Sequence, residues 1–397
     1  MSGANGFGRW WAPWGKTRMM KRQKNRAAET TWLAPPAIDR LLLTATLLLL
    51  AIGIVMVYSA SSAVALARYE DGGYFFKRQL LWVGVGLAAM AVTVRMNVWG
   101  WQRLALPLLL AVAALLVLVL WPQIGVEVNG ARRWLRVGGW SIQPSELAKL
   151  AVVCYLAGYV ARHGERVGEF WRGLLPPLLV SGAVMVLILA EPDLGAAAVI
   201  AMLTLTLLFV GRAKLSHLGG LVLAAAPVLT VLIFSSSYRR QRLLAFLNPW
   251  EDAQGSGFQI IQSFLAIGSG GWWGLGLGES RQKLLFLPEP HTDFIYSVIG
   301  EELGLVGCLV VLALFVLFIW RGFVIATRAE EPFIRCLAVG LTVMIGVQAL
   351  LHMAVVTGLL PTKGLTLPFL SYGGSSLVVD LAAVGILLAI GRKRAAG

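Results

Sequence analysis

Ten apolar stretches divide this chain, and they restrict it to one kind of fold. The first, Leu41 to about Ala60, is about 20 residues long, the length a helix needs to cross a bilayer. Nine more follow near 79–95, 104–121, 145–161, 174–190, 194–211, 218–235, 293–320, 336–357 and 372–391. Hydrophobic residues fill 58% of the 397 positions and charged residues only 14%, against roughly 45–50% and roughly 25% in a soluble domain. Lipid offers no partner to a free backbone group, so spanning segments are helices or closed barrels. Long apolar runs with weak strand signals predict helices. The expectation is an all-α, polytopic membrane protein with about 10 transmembrane helices.

An even number of spans returns both termini to one side. Of the 34 Lys and Arg residues, 21 fall in the N-terminal arm, the even-numbered connections and the C-terminus. The positive-inside rule then places both termini in the cytoplasm. Ala65-Leu66-Ala67 matches a signal-cleavage pattern, but the run before it exceeds the roughly 7–15 residues of a signal core. The first helix is therefore expected to stay attached. Residues 1–37 form a basic, Trp-rich cytoplasmic arm with Trp10, Trp11 and Trp14 among its cations. It suits an anionic leaflet, or it only sets topology. Residues 38–394 form the transmembrane domain. The net charge of +14 has no soluble basic domain to carry it, so nucleic acid is not a partner. Cys154, Cys308 and Cys336 have no CxxC spacing, which gives neither a metal site nor a disulfide framework.

The remaining cations lie where topology does not require them. Arg132, Arg133 and Arg136 fall in the 122–144 loop; Arg239, Arg240, Arg242, Arg281 and Lys283 fall in the 236–292 loop; Lys363 falls in a short turn. Outer cations suit a phosphate-bearing substrate or lipid headgroups. The 236–292 loop, extracytoplasmic and between helices 7 and 8, is far longer than a connector needs. Phe258, Phe264, Trp272, Trp273 and Phe286 suggest that it folds back onto the membrane surface.

Carboxylates mark the candidate chemistry. In His291-Thr292-Asp293-Phe294, Asp293 ends the long loop and opens an apolar helix. A carboxylate there is either a first-turn helix cap or a positioned base. Ser297 and Glu301 follow at four and eight residues; about 12 Å of helix separates Asp293 from Glu301, so Asp293 acts alone and Glu301 and Glu302 pair with cations or cap polar groups. In Gln143-Pro144-Ser145-Glu146-Leu147-Ala148-Lys149, Ser145 is expected to cap, and Glu146 and Lys149 share a helix face. They form a structural ion pair or a phosphate-binding lysine held by its acid. Glu191-Pro192-Asp193-Leu194-Gly195 places two carboxylates between apolar runs; a hard cation could use them, although no third ligand is evident. The glycines of 268–278 lack the Lys-Ser/Thr of a phosphate loop. Asp380 stands alone inside the last span.

Together, Asn129-Gly130-Ala131-Arg132-Arg133-Trp134, the 143–149 segment, Glu191–Gly195, His291–Gly304 and Leu360–Ser376 resemble the SEDS family (shape, elongation, division and sporulation). The likeness is greatest to its cell-division branch, because Thr362-Lys363 is usually missing from the elongation branch. It runs from about Leu41 to about Arg394. The resemblance implies a peptidoglycan glycosyltransferase that polymerises lipid II during septal wall synthesis, multi-pass in the bacterial inner membrane at the division septum. It implies a class B penicillin-binding transpeptidase and other divisome proteins as partners. The essential loop aspartate of the family maps to Asp293; the substrate-binding set expected is Arg132, Glu146, Lys149, Lys363 and Ser375. No cofactor is required by the resemblance, although a divalent cation, Mg or Mn, could stand beside the basic residues to stabilise the leaving pyrophosphate. His352 and Glu279 stand where asparagine is usual. Two rivals use the same residues differently: a lipid II flippase, or a scaffold that only activates the transpeptidase.

Overall fold

A computed structural model of the chain describes residues 38–392, apart from positions 129, 139, 285 and 286. The basic arm expected over residues 1–37 lies outside the described residues.

Twelve α-helices run through the described residues: α1 (Arg40–Tyr69), α2 (Tyr74–Arg95), α3 (Val98–Leu120), α4 (Pro144–His163), α5 (Leu175–Ala190), α6 (Leu194–Val210), α7 (Leu215–Phe234), α8 (Ser237–Leu247), α9 (Phe258–Gly270), α10 (Ile295–Thr327), α11 (Pro332–Val356) and α12 (Gly374–Arg392). Each of the ten expected spans coincides with one of them, α1–α7 and α10–α12. Eight are long and apolar enough to cross a membrane. The other two are α4, which carries Glu146 and Lys149, and α6, which has 17 residues and is about 25 Å long. Polar caps set several starts. Asp39 accepts from the Leu42 N–H at 3.0 Å, and Asp193 accepts from Ala196 N–H at 3.0 Å, satisfying donors that a helix leaves open. At α4 the expected Ser145 cap is not made: Gln143 is the N-cap residue and Pro144 takes the first turn, where its missing N–H does no harm.

Helices α4, α11 and α12 form the interior, with most of their residues buried. Helix α12 packs along α2, where Thr93 Oγ1 donates to the Ala382 carbonyl at 3.1 Å. Helix α7 lies at the edge with only Leu218 buried. Because the spans alternate in direction, the α1–α2, α3–α4, α5–α6, α7–α10 and α11–α12 connections all emerge at one end.

Two of these connections have structure of their own. The 122–144 segment is a three-stranded antiparallel sheet, β1 (Gly125–Val128), β2 (Ala131–Val137) and β3 (Trp140–Ile142), in the order β1-β2-β3. Apolar content alone did not signal these strands. The 236–292 loop contains α8 and α9, and α9 lays Ile260, Ile261, Ser263 and Ala266 against the helical body beside α10. The loop thus folds back onto the helical body through α9, while Trp272 and Trp273, which had suggested contact with the membrane surface, are exposed.

Helix α10 is broken at Gly304, whose φ of 68° and ψ of −168° interrupt the ladder. The 271–276 loop fills the break with backbone bonds: Leu275 and Gly276 N–H donate to the Glu301 and Glu302 carbonyls, and Leu305 and Val306 N–H donate to the Gly271 and Trp272 carbonyls, at 2.9–3.2 Å. Four of the groups freed by the break are paired in this way. Such an approach leaves no room for a side chain, and a Cβ on Gly274 (φ 80°) would overlap the Glu302 carbonyl. Gly274→Ala is therefore expected to lower stability by about 2 kcal/mol or more, read as a lower melting temperature in detergent. Gly268→Ala, at an open helical position, is the control and should be neutral or slightly stabilising.

Candidate functional site

The five motif segments meet at the shared end of the bundle. Arg133 Nε donates to the Glu191 carbonyl at 3.0 Å and its Nη2 to the Pro192 carbonyl at 2.6 Å. Gln143 N–H donates to Ser375 Oγ at 3.0 Å, and Gln143 Nε2 to Asp193 Oδ2 at 3.4 Å. Ser371 Oγ donates to the Thr292 carbonyl, and Arg242 Nη1 to the Thr362 carbonyl at 3.0 Å. Chain segments more than 200 residues apart are thus fastened by polar contacts at one place.

At its centre a cleft is lined by Arg242, Gln259, Glu289, Asp293, Thr362 and Lys363. It measures about 30 Å³, room for a water or two and not for a sugar ring. Asp293 does not cap α10. That helix begins at Ile295 with Phe294 as its N-cap residue and no side-chain cap. The Asp293 carboxyl instead lies against Gly364, where a Cβ would come within 2.8 Å of Oδ2. Ser297 pairs with Ser263 at 2.7 Å, and Glu301 accepts from Ser280 Oγ at 2.5 Å and Arg281 N–H at 2.9 Å. Glu302 pairs with Lys283. Neither glutamate joins Asp293, as their spacing predicted.

Burial, and secondarily the Glu289 carboxylate, pushes the Asp293 pKa up to about 7, against the pull of Arg242, the Thr292 hydroxyl and Arg133. Burial lowers Lys363 to about 8; Asp193 opposes this and Arg242 adds to it. Both groups therefore exchange protons near neutrality, as acid–base groups in catalysis do. Glu191 has no exposed surface and neither carboxylate oxygen has a partner among the described residues. Burial and then Asp193 raise it to about 8, with Arg133 opposing. His291, buried against Phe75, is lowered to about 4 by burial and then by Arg68. It is neutral at pH 7, so its 3.9 Å approach to Glu289 is not an ion pair.

The expected substrate-binding residues do not all reach this cleft. Lys363 does. Arg132, on the central strand β2, pairs with Glu127 of β1 at 3.1 Å on an exposed face of the sheet, while its neighbour Arg133 turns to the Glu191–Pro192 turn. The β1–β2 register explains this: Val126 faces Trp134 and Glu127 faces Arg132, so Arg133 is the extra residue of a β-bulge. Bulges re-aim one side chain out of strand alternation. Glu146 and Lys149 form a buried ion pair at 2.6 Å, with the Lys149 side chain 1% exposed. Asp380, alone in the sequence, lies in electrostatic range of both and accepts from Ser376 Oγ at 3.3 Å. Ser375 joins Gln143 to the sheet through the Ser141 carbonyl. Ser145 is buried with no side-chain partner among the described residues. His352 Nδ1 lies 2.6 Å from the Leu365 carbonyl and ties α11 to the loop that carries Lys363. The expected substrate-binding set omitted Arg242, Gln259 and Arg133; the excess of outer-loop cations signalled the two arginines, and nothing in the sequence signalled Gln259. The three cysteines are unpaired and buried.

The residues do not fit a protein-held divalent cation. Among the described residues no three carboxylates, histidines or cysteines converge, and the neighbours of Asp293 in the cleft include two cations.

The sequence profile of the cell cycle protein family that groups FtsW, RodA and SpoVE matches residues 39–396. The chain is 47% identical to the probable peptidoglycan glycosyltransferase FtsW of Geobacter metallireducens over 355 residues, 89% of this chain and 95% of that protein. It is 45% identical to the stage V sporulation protein E of Bacillus subtilis over 354 residues, 89% and 97% of the two chains. Among solved structures it resembles a chain of a peptidoglycan synthase complex described as coordinating polymerization and crosslinking, at 34% identity and a TM-score of 0.75, covering 91% of this chain and 99% of that one. It also resembles the rod shape determining protein RodA of Thermus thermophilus, at 31% identity and a TM-score of 0.68, with 91% and 98% covered.

Proposed function

The chain belongs to the FtsW, RodA and SpoVE family of cell cycle proteins, and on that premise we propose that its cleft polymerises lipid II into glycan strands with Asp293 as the general base. It is a multi-pass membrane protein and a peptidoglycan glycosyltransferase. The observation that carries the assignment is the Asp293 carboxyl, held near neutrality beside Lys363 and Arg242 in a cleft at the end of the bundle.

The growing strand, linked to undecaprenyl pyrophosphate, is the donor. The 4-hydroxyl of the GlcNAc on an incoming lipid II attacks the anomeric carbon of the donor. A new C–O bond forms, the bond to pyrophosphate breaks, and Asp293 takes the hydroxyl proton. A base so placed is worth about 10²–10⁴-fold. The leaving pyrophosphate gains charge, and Arg242 and Lys363 are the cations that meet it, the kind of electrostatic stabilisation that is often the largest contribution. A single displacement inverts the anomeric centre. Arg133 and Asp193 hold the field around both groups. The Glu146–Lys149–Asp380 group lies within the bundle and supports α4 and α12 beneath the cleft. The lipid tails stay among the helices, which is why a sugar-transferring enzyme is built from membrane spans.

This reading places the cleft on the outer face, both termini in the cytoplasm, and the protein at the division septum. Its partner is a class B penicillin-binding transpeptidase, which crosslinks the strands made here, together with other divisome proteins. Support for a transpeptidase comes from the solved relative, whose complex joins polymerization to crosslinking.

Purified lipid II incubated with the full chain and its transpeptidase tests the reading. Glycan strands are expected, and their rate should rise with pH through about 7, because the base must be ionised and its pKa is raised to about 7. A rate that is flat between pH 5 and 8 would remove Asp293 from the role. No strands, with lipid II crossing liposomes instead, would make the chain a flippase. No strands and no crossing, with the transpeptidase activated, would make it a scaffold.

A further inference from the structure

Ser371 sits where the 357–373 loop is fastened to the segment that carries Asp293. Its hydroxyl donates to the Thr292 carbonyl at 2.6 Å and accepts from the Leu367 N–H at 2.8 Å. The next N–H, of Tyr372, donates to the His291 carbonyl at 2.8 Å. Two consecutive carbonyls just ahead of Asp293 are therefore held by two consecutive residues of the loop. Ser371 is 3% exposed, and Gln79 of α2 donates to its carbonyl at 3.5 Å.

The turn that presents Ser371 is strained. Phe369 has φ 66°, a left-handed conformation that a bulky residue keeps only where its surroundings impose it. Those surroundings are visible. The Phe369 side chain is 1% exposed and lies beside Phe318. Its carbonyl is pressed against Gly53 of α1, where any Cβ would overlap it. The Leu370 and Ser371 N–H groups both return to the Leu367 carbonyl, at 3.2 and 3.0 Å. A buried, strained turn so closely braced holds its one hydroxyl in a fixed place, and that hydroxyl grips the peptide before Asp293.

We propose that Ser371 is a positioning residue, which acts through the Thr292 carbonyl to aim the Asp293 carboxyl at the acceptor hydroxyl. The proposal rests on the glycosyltransferase reading and adds to it. The same loop supplies Gly364, against which the Asp293 carboxyl lies, and Lys363, the neighbouring cation. With the Ser371 clasp closed, base and cation keep one geometry. With it open, the loop and the 291–293 segment can shift independently, and a misplacement of about 1 Å at a reacting group can cost about 10²-fold.

The test compares wild type, Ser371→Ala and Ser371→Thr as full chains with the transpeptidase, measuring kcat, KM for lipid II, the pH profile and the melting temperature in detergent. Ser371→Ala is expected to lose at least tenfold in kcat with KM within twofold. The acid limb of its pH profile should move to lower pH, as a less confined carboxyl regains water. Ser371→Thr keeps the hydroxyl and should recover most of the rate. Full kcat in Ser371→Ala, with an active wild type, overturns the proposal alone. A loss shared equally by Thr, or one carried by KM, overturns it in favour of plain packing. Should Ser371→Ala fail to fold, Ser371→Cys, a weak donor of similar size, must still lose kcat with KM kept; wild-type kcat there is equally fatal. A wild type that makes no strands overturns the glycosyltransferase reading and this proposal with it.

Discussion

Asp293→Asn is expected to reduce glycan polymerisation by about 10²–10⁴-fold, with the transpeptidase still bound and the protein more stable than wild type at alkaline pH. The amide has the shape of the carboxyl and can keep the Thr292 contact, so the cleft survives; it cannot accept a proton. The stability effect follows from the sign of the pKa change. The carboxyl has a value of about 7 in the folded chain against 3.8 for an unperturbed one. The folded state therefore holds a proton more tightly than the unfolded state, and stability falls as pH rises from about 4 through about 7. Three pKa units are on the order of 4 kcal/mol. Asp293 keeps part of its surface open to the cleft, and water there reduces the figure. We expect Asn to gain about 1–3 kcal/mol at pH 8 and nothing near pH 4, read as melting temperatures in detergent. Retention of more than a tenth of wild-type polymerisation would end the general-base assignment.

That a group destabilises the fold where it works is what a functional site predicts, and it also explains which parts of this molecule could be read from sequence. The spans were legible because lipid enforces a crude rule, about 20 apolar residues per crossing; eight of the ten expected spans meet it, and α4 and α6 do not. Asp293 stood out as the candidate base because a carboxylate at a membrane boundary is costly and rarely accidental. What failed was local geometry set by distant partners. Arg132 and Arg133 are equivalent in the sequence, and a one-residue bulge opposite Val126 and Glu127 decides which of them reaches the Glu191–Pro192 turn. Asp380 looked isolated because Glu146 and Lys149 are more than 200 residues away. Arg242 and Gln259 enter the cleft from α8 and α9, two short helices inside a segment that read as loop. The glycines of 268–278 lack a phosphate-loop pattern, and their use emerges only with the break at Gly304.

Helix capping shows the same limit on a smaller scale. Ser145, two residues after a loop and ahead of an apolar run, fits a capping pattern, but Pro144 already occupies the first turn and Gln143 the cap. The hydroxyl that matters in this region is Ser375, which meets Gln143 from the far end of the chain. Local pattern predicts local bonds; at the cleft the bonds are between connections that only the bundle brings together.

The largest stability loss is expected from Lys283→Ala, at about 3–5 kcal/mol. Lys283 Nζ lies 2.7 Å from Glu302 Oε1, 2.9 Å from Ser59 Oγ and 2.7 Å from the Gly278 carbonyl. Glu302 has a fully buried side chain, and Ser59 of α1 donates to both of its oxygens. Removing the lysine leaves an acid in a site built for an ion pair, with the single Ser59 hydroxyl to offset the burial of its charge. The pair itself need not be a net gain, since desolvation opposes the attraction between its members. Lys283→Met combined with Glu302→Gln should therefore recover at least half of the loss, which a simple sum of the two single changes would not allow. The damage should also reach the cleft. The Leu287 N–H donates to the Gln282 carbonyl at 2.8 Å, so the turn anchored by Lys283 leads directly into the 287–293 segment that ends at Asp293. Lys283→Ala is expected to lower polymerisation at least tenfold even at temperatures where it remains folded, while the double variant regains rate along with stability. Melting temperatures and polymerisation rates for the wild type and these two variants decide the matter: a loss below about 1 kcal/mol for Lys283→Ala would mean that water reaches Glu302, and that the glycine loop alone holds this turn in place.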